Sequence, residues 1–208
     1  EMQKSYSHPL TGERISFREP STSESTSIAN YGFGSKGVVD AKRDIFDPRW
    51  LQVGRIVRTS EGVYANPPKD EKGNPIIDKE ILKSFLDQSN KVNGIWLYPG
   101  SDPNVKDFGF APYESFTRGV QDCDTFAEGG LARVLEHTQE KVAKNLREIA
   151  SPKNYKKEVN VYGFDEVKEP TLRVAVLDSS RDLDRDRLDL DGDDGGVGSD
   201  GFVFGVLE

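Results

Sequence analysis

Residues 122–150 read DCDTFAEGGLARVLEHTQEKVAKNLREIA, and how that stretch is taken decides the fold. Phe126, Leu131, Val134, Leu135, Val142, Leu146 and Ile149 form a stripe one helix face wide. The stripe predicts one long central helix from Asp122 or Asp124 to Ala150. Ser151-Pro152 ends it, because proline disfavours helical backbone at the residue before it. Downstream, Glu158 to Phe164, Leu172 to Leu177 and Phe202 to Val206 read as antiparallel strands. Helices first and strands after predict an α+β fold, with helices packed on a small antiparallel sheet.

Working upstream, Asp78 can cap a helix carrying Ile81, Leu82, Phe85 and Leu86. Val92 to Tyr98 reads as a single buried strand, and the aromatic passage from Phe108 to Phe116 as a loop anchored by its rings. Asp47-Pro48 has the signature of a helix start, placing Trp50, Leu51, Gly54 and Val57 on one face of a short helix; a strand through Leu51 to Val57 competes with it. Residues 1–44 are poor in periodic apolar residues and rich in serine and threonine, so they predict an irregular N-terminal arm. Residues 45–206 then make one α+β domain, and Leu207-Glu208 resembles the scar of an affinity-tag vector.

The 208 residues are enough for one substantial core. The net charge of −8 is unevenly spread. Between Asp178 and Asp200 stand nine aspartates and three arginines, a local −6, which leaves about −2 for the remainder. No basic stripe can track phosphates, so nucleic acid is not an expected partner. No run approaches the roughly 18 to 20 apolar residues of a membrane helix. One cysteine and two histidines cannot supply the usual four ligands of a structural zinc site.

The aspartates crowd a stretch from Arg181 to Gly196 between two expected strands, within a hairpin loop spanning residues 178–200. Carboxylates at alternate positions offer hard oxygen ligands, and glycines let the chain curl around one ion. Taking Asp189, Asp191 and Asp193 as first, third and fifth ligands puts Asp200 twelfth, which resembles EF-hand spacing. Asp194 stands where that loop needs glycine, and the flanks read as strands. A different geometry is therefore expected, with ligands drawn from Asp182, Asp184, Asp186, Asp189, Asp191, Asp193 and Asp194. Crowded carboxylates repel, and a bound Ca²⁺ relieves them; Arg181, Arg185 and Arg187 in open solvent are the competing relief.

Cys123, the only thiol, stands where a loop enters the predicted long helix, and helix N-termini favour thiolates. The segment Asp122-Cys123-Asp124 resembles the nucleophile motif of transglutaminase-like and papain-fold proteins. That resemblance implies a cysteine helix followed by antiparallel strands, a histidine base on the next strand, and an orienting aspartate for which Asp178 is placed. The strand from Glu158 to Phe164 holds no histidine. His137 lies about 21 Å away along a continuous helix, which leaves His8 as the base if the arm folds across the site.

These readings predict a non-enzymatic binding or structural module with a calcium-like site in the aspartate hairpin, facing a protein or polymer partner. Such a site suits an extracytoplasmic setting where calcium is plentiful. The alternative is a thiol hydrolase or acyltransferase using Cys123, Asp178 and His8.

Overall fold

Two long strands, Leu51–Arg58 and Thr171–Ser179, lie side by side near the middle of a nine-stranded sheet. The structure is a computed structural model that describes residues 6–7, 12, 14–15, 17–34, 50–179, 186–194 and 206–207. In chain order the first elements are β1 (Tyr6–Ser7), β2 (Arg14–Ile15), β3 (Phe17–Arg18), α1 (Thr22–Gly34), β4 (Leu51–Arg58) and β5 (Gly62–Ala65). Then come α2 (Lys79–Leu86), β6 (Asn90–Val92), β7 (Ile95–Leu97), β8 (Gly109–Pro112) and β9 (Gly119–Gln121). The chain continues with α3 (Cys123–Glu128), α4 (Gly130–Leu135), α5 (Lys144–Ile149), β10 (Val159–Tyr162), β11 (Thr171–Ser179), β12 (Leu188–Asp194) and β13 (Val206–Leu207). The large sheet runs β6-β7-β8-β5-β4-β11-β12-β10-β9. Its neighbours are antiparallel except β10 and β12, which run parallel.

This corrects the expected fold class. The sheet dominates, and of the five α-helices among the described residues only α1 and α2 exceed six residues. The expected long central helix is three short ones. Gly129 separates α3 from α4 with an extended backbone, and Gly130 then packs so tightly on the turn before β9 that a Cβ there would lie 2.7 Å from Ser115 Cβ and 2.8 Å from Ile95 Cγ2. At the far end of α4, His137 adopts a left-handed φ of 48°. Thr138 N–H donates to Arg133 O and His137 N–H to Val134 O, the paired bonds of a Schellman stop. Helix α5 restarts under a distant cap, because Glu136 Oε1 accepts from Leu146 N–H at 2.5 Å. The apolar stripe was real, since Phe126, Leu131, Val134, Leu135, Leu146 and Ile149 are all buried, but three segments share it.

The irregular arm is corrected within its described part. Ser21 and Glu24 form a reciprocal capping box, with Ser21 N–H donating to Glu24 Oε2 at 2.9 Å and Glu24 N–H to Ser21 Oγ at 3.4 Å. The helix that follows buries Thr22, Ser25, Thr26 and Ala29, small residues that let α1 approach β4 closely. Gly54 allows that approach, for a Cβ there would come 2.6 Å from Thr22 Cγ2.

Three further readings change. The competing strand, and no helix, occupies Leu51 to Val57. The segment Val92 to Tyr98 holds a turn, not one strand: Asn93 (φ 48°) and Gly94 (φ 85°) link β6 to β7 as a tight hairpin. The aromatic passage contributes β8, buried between β7 and β5. Helix α2 begins where its cap predicts, with Asp78 Oδ1 accepting from Ile81 N–H at 3.0 Å. Of the third expected strand only Val206 lies within the described residues; it pairs with Arg18, as Leu207 does with Phe17.

Side-chain alternation divides the sheet into two faces. One carries Leu51, Val53, Ile56, Val63, Ala111, Ala175, Leu177, Leu188 and Leu190 into the main core, beneath α1, α3, α4 and α5. The opposite face is covered at the β4-β5-β8 end, where α2 supplies Leu82 to a second cluster with Val57, Tyr64, Phe108 and Phe110. At the β11-β12-β10 end that face carries aspartates.

Candidate cation site

The sequence Leu188-Asp189-Leu190-Asp191 alternates apolar and acidic residues, and the alternation is a strand's. Leu188 and Leu190 are fully buried in the main core, so Asp189 and Asp191 project from the other face. Much of the expected aspartate loop is therefore β12. Register brings a third carboxylate to them, since Asp178 on β11 stands directly opposite Asp189. Residues so paired hold their Cβ atoms about 4.5 to 5.5 Å apart, and like charges there destabilise a sheet. On the other side, Tyr162 of β10 pairs with Asp191. Burial first, and then the charges of Asp191, Asp189 and Asp178, push the Tyr162 phenol well above its usual range against the opposing pull of Arg187.

Asp189 is the most constrained of the set. It is only 7% exposed, and Arg187 Nε approaches its Oδ1 at 3.2 Å. The contact is one of charge alone, for among the described residues neither that oxygen nor that nitrogen has a hydrogen-bond partner. Asp191 Oδ1 accepts from Asp193 N–H at 2.8 Å.

The other expected ligands fall elsewhere. Asp193 is claimed by two arginines, Arg58 Nη2 at 2.7 Å and Arg173 Nε at 3.1 Å, and that clamp also ties Arg58 to the Gly163 carbonyl. Asp194 pairs with Val174 at the end of β12. Asp186 precedes β12, and its carbonyl accepts from Lys157 N–H. Asp182 and Asp184 lie outside the described residues, as does His8. Among the described residues, no three His, Cys, Asp or Glu side chains already stand in ligand geometry.

Of the thiol constellation, Cys123 and Asp178 are not brought together, and His8 lies outside the described residues. Cys123 opens α3, where Asp122 is the cap and accepts from Asp124 N–H, Thr125 N–H and Thr125 Oγ1. Burial, and next the Asp124 carboxylate, push the thiol up, outweighing Arg147, which is engaged by Asp124 at 2.6 Å. A nucleophilic cysteine needs the reverse shift. Cys123 packs on the main core, on the helix side of the sheet. Leu177 and Ser179 point to that side, Ser179 Oγ meeting Tyr155 Oη at 2.8 Å, so Asp178 between them faces away.

Sequence reasoning also passed over a cluster centred on Asp107. Its Oδ2 accepts from Ser21 Oγ and Ser23 Oγ at 2.5 Å each, and His137 Nδ1 lies 3.8 Å from its Oδ1. The carboxylate sits between hydroxyls and imidazole, and His137 Nε2 faces the Phe108 carbonyl at 3.2 Å. Through Ser21, Ser23 and His137 the cluster ties the start of α1 and the end of α4 to the turn before β8. Asp107 itself needs a left-handed φ of 57°, a conformation that no local spacing signals.

Comparison with protein-family models, with curated proteins and with solved structures returns no match. Among the described residues no helix is long and apolar enough to cross a membrane.

Proposed function

We propose that this chain is a non-catalytic binding or structural module that takes a divalent cation, calcium first among them, on its aspartate-lined sheet face. Asp178, Asp189 and Asp191 are the carboxylate donors of this reading. The supporting observation is the Asp189 Oδ1 oxygen, nearly excluded from solvent and reached by no hydrogen-bond donor among the described residues, in a residue directly across the strand pair from Asp178. A carboxylate in that position is held at a free-energy penalty unless a cation meets it. Arg187 meets it partially, at a distance but without alignment.

Calcium tolerates irregular oxygen shells, so short rotations of side chains already set by strand register suffice to form one. Ion entry displaces the Arg187 contact and stabilises the folded state by linkage. The shell is small, which places the affinity in the range of about 10⁻⁴ to 10⁻³ M typical of extracellular calcium modules. An extracytoplasmic setting and a protein or polymer partner at the same face belong to this reading. The test is calcium titration of the full chain by isothermal calorimetry, beside the Asp189→Asn variant. Saturable binding lost in the variant supports the site; equal heats from both proteins remove it.

A further inference from the structure

Beside its carboxylates, the aspartate face of the sheet carries neutral groups that cation binding leaves unused. Strand register sets two rows next to each other. In one, Asp178 of β11 stands opposite Asp189 of β12, Asp189 opposite Asn160 of β10, and Asn160 opposite Val120 of β9. In the other, Asp191 of β12 stands opposite Tyr162 of β10. Val159 and Val161 enter the main core, so Asn160 and Tyr162, which alternate with them, share the side of the aspartates. Tyr162 is 42% exposed and Val120 54%. Val120 also lines a cavity of about 320 Å³ whose other walls are Lys156, Lys157, Glu158 and Arg187.

Ionised carboxylates only accept hydrogen bonds, so a ligand of this face must bring donors, a cation or both. The buried Asp189 Oδ1, unpartnered among the described residues, marks where a cation sits. With calcium there the carboxylates are engaged, and a shell of six to eight oxygens keeps places that three side chains do not fill. What remains beside the ion is uncharged: an amide that donates and accepts, and a phenol ring with its hydroxyl. Among the described residues no hydrogen bond engages the side chain of Asn160 or of Tyr162. Neighbouring strands lie about 4.8 Å apart, a separation that one sugar ring spans.

We propose that this face binds a neutral oligosaccharide, with vicinal hydroxyls completing the calcium shell at Asp189, a further hydroxyl bonded to Asn160 and one sugar ring stacked on Tyr162. The inference rests on the calcium reading of the same face and names what the bound ion presents. A sugar hydroxyl both donates and accepts, so it suits a surface that mixes acceptors, an amide and a metal. The exposed phenol ring offers its apolar face to the C–H face of a sugar, and Val120 adds apolar contact at the end of the other row. A basic peptide, the other occupant that an acidic face invites, competes with calcium for the same carboxylates and gains nothing from the ion.

The experiment screens the labelled full chain in millimolar calcium on an array of neutral and acidic oligosaccharides, with hexalysine as the cationic probe, and follows neutral hits by calorimetry in calcium and in chelator. Calcium alone is titrated first. Absence of its heat removes the cation reading and this inference with it, whereas calcium binding without any neutral hit removes this inference alone. Saturable binding of at least one neutral oligosaccharide is expected, weakened by about tenfold or more in chelator. Tyr162→Ala and Asn160→Ala should each weaken it by about three- to tenfold. The Asn160 side chain has no bond to lose among the described residues, so its variant keeps the test valid where Tyr162→Ala impairs folding. The proposal is also overturned if chelator leaves sugar binding unchanged, if binding is confined to hexalysine or to acidic sugars drawn to Lys156 and Lys157, or if Asn160→Ala binds undiminished with an unchanged melt.

Discussion

At Gly130 one added methyl group decides a sign. Glycine to alanine within a helix ordinarily stabilises by about 1 kcal/mol. Here the new Cβ meets Ser115 and Ile95 inside ordinary contact distance, so Gly130→Ala should destabilise by about 1 to 3 kcal/mol, read from urea unfolding. A gain in stability would show that α4 is not seated against β7 as described. Glu136 offers a second residue-scale test, through pH. Burial lifts its carboxyl from the ordinary 4.5 to about 7, although the N–H groups of α5 pull it down. The folded state thus binds the proton more tightly than the unfolded one. The resulting stability is fully present below pH 4.5 and is lost as pH rises through about 7. A shift of this size corresponds to an effect on the order of 3 kcal/mol, and Glu136→Gln should flatten that part of the stability–pH curve. An unchanged slope would assign the dependence to another group.

Elements were legible where a local signal had no rival. Asp78 announced α2, and the apolar residues of 122–150 did go to the core. The breaks in that stretch were not periodic features: Gly130 responds to Ser115 and Ile95, and His137 stops α4 in a conformation more usual for glycine. Helix α1 was hidden because its buried face is Thr22, Ser25, Thr26 and Ala29, which an apolar period does not register. Two signals were present and outvoted. Asn93-Gly94 is a strong hairpin marker, and Leu188 to Asp191 alternates with the period of a strand. Gly94→Ala tests the hairpin: nothing lies near its Cβ, so only the φ of 85° resists, and a loss of about 1 to 2 kcal/mol is expected. No loss at all would mean that the turn adopts another form.

Across the whole molecule the sheet assigns two faces and two ends. The helix side carries the main core, and the opposite side is closed by α2 at one end and lined with aspartates at the other. The cysteine resemblance fell on the helix side, and strand alternation turns its expected aspartate away from it. Which carboxylates meet was not legible from spacing: Asp178 and Asp189 are eleven residues apart in the chain yet opposite in register, while neighbouring Asp193 is drawn off by Arg58 and Arg173. The most direct test of the cation-binding face is the thermal melt of the full chain in millimolar calcium against the same melt in chelator. A rise of a few degrees, abolished by Asp189→Asn, is the expected result, since calcium at about 1 to 10 times Kd adds roughly 0.4 to 1.4 kcal/mol. Identical melts in calcium and chelator, with the wild-type chain fully folded in both, would contradict it.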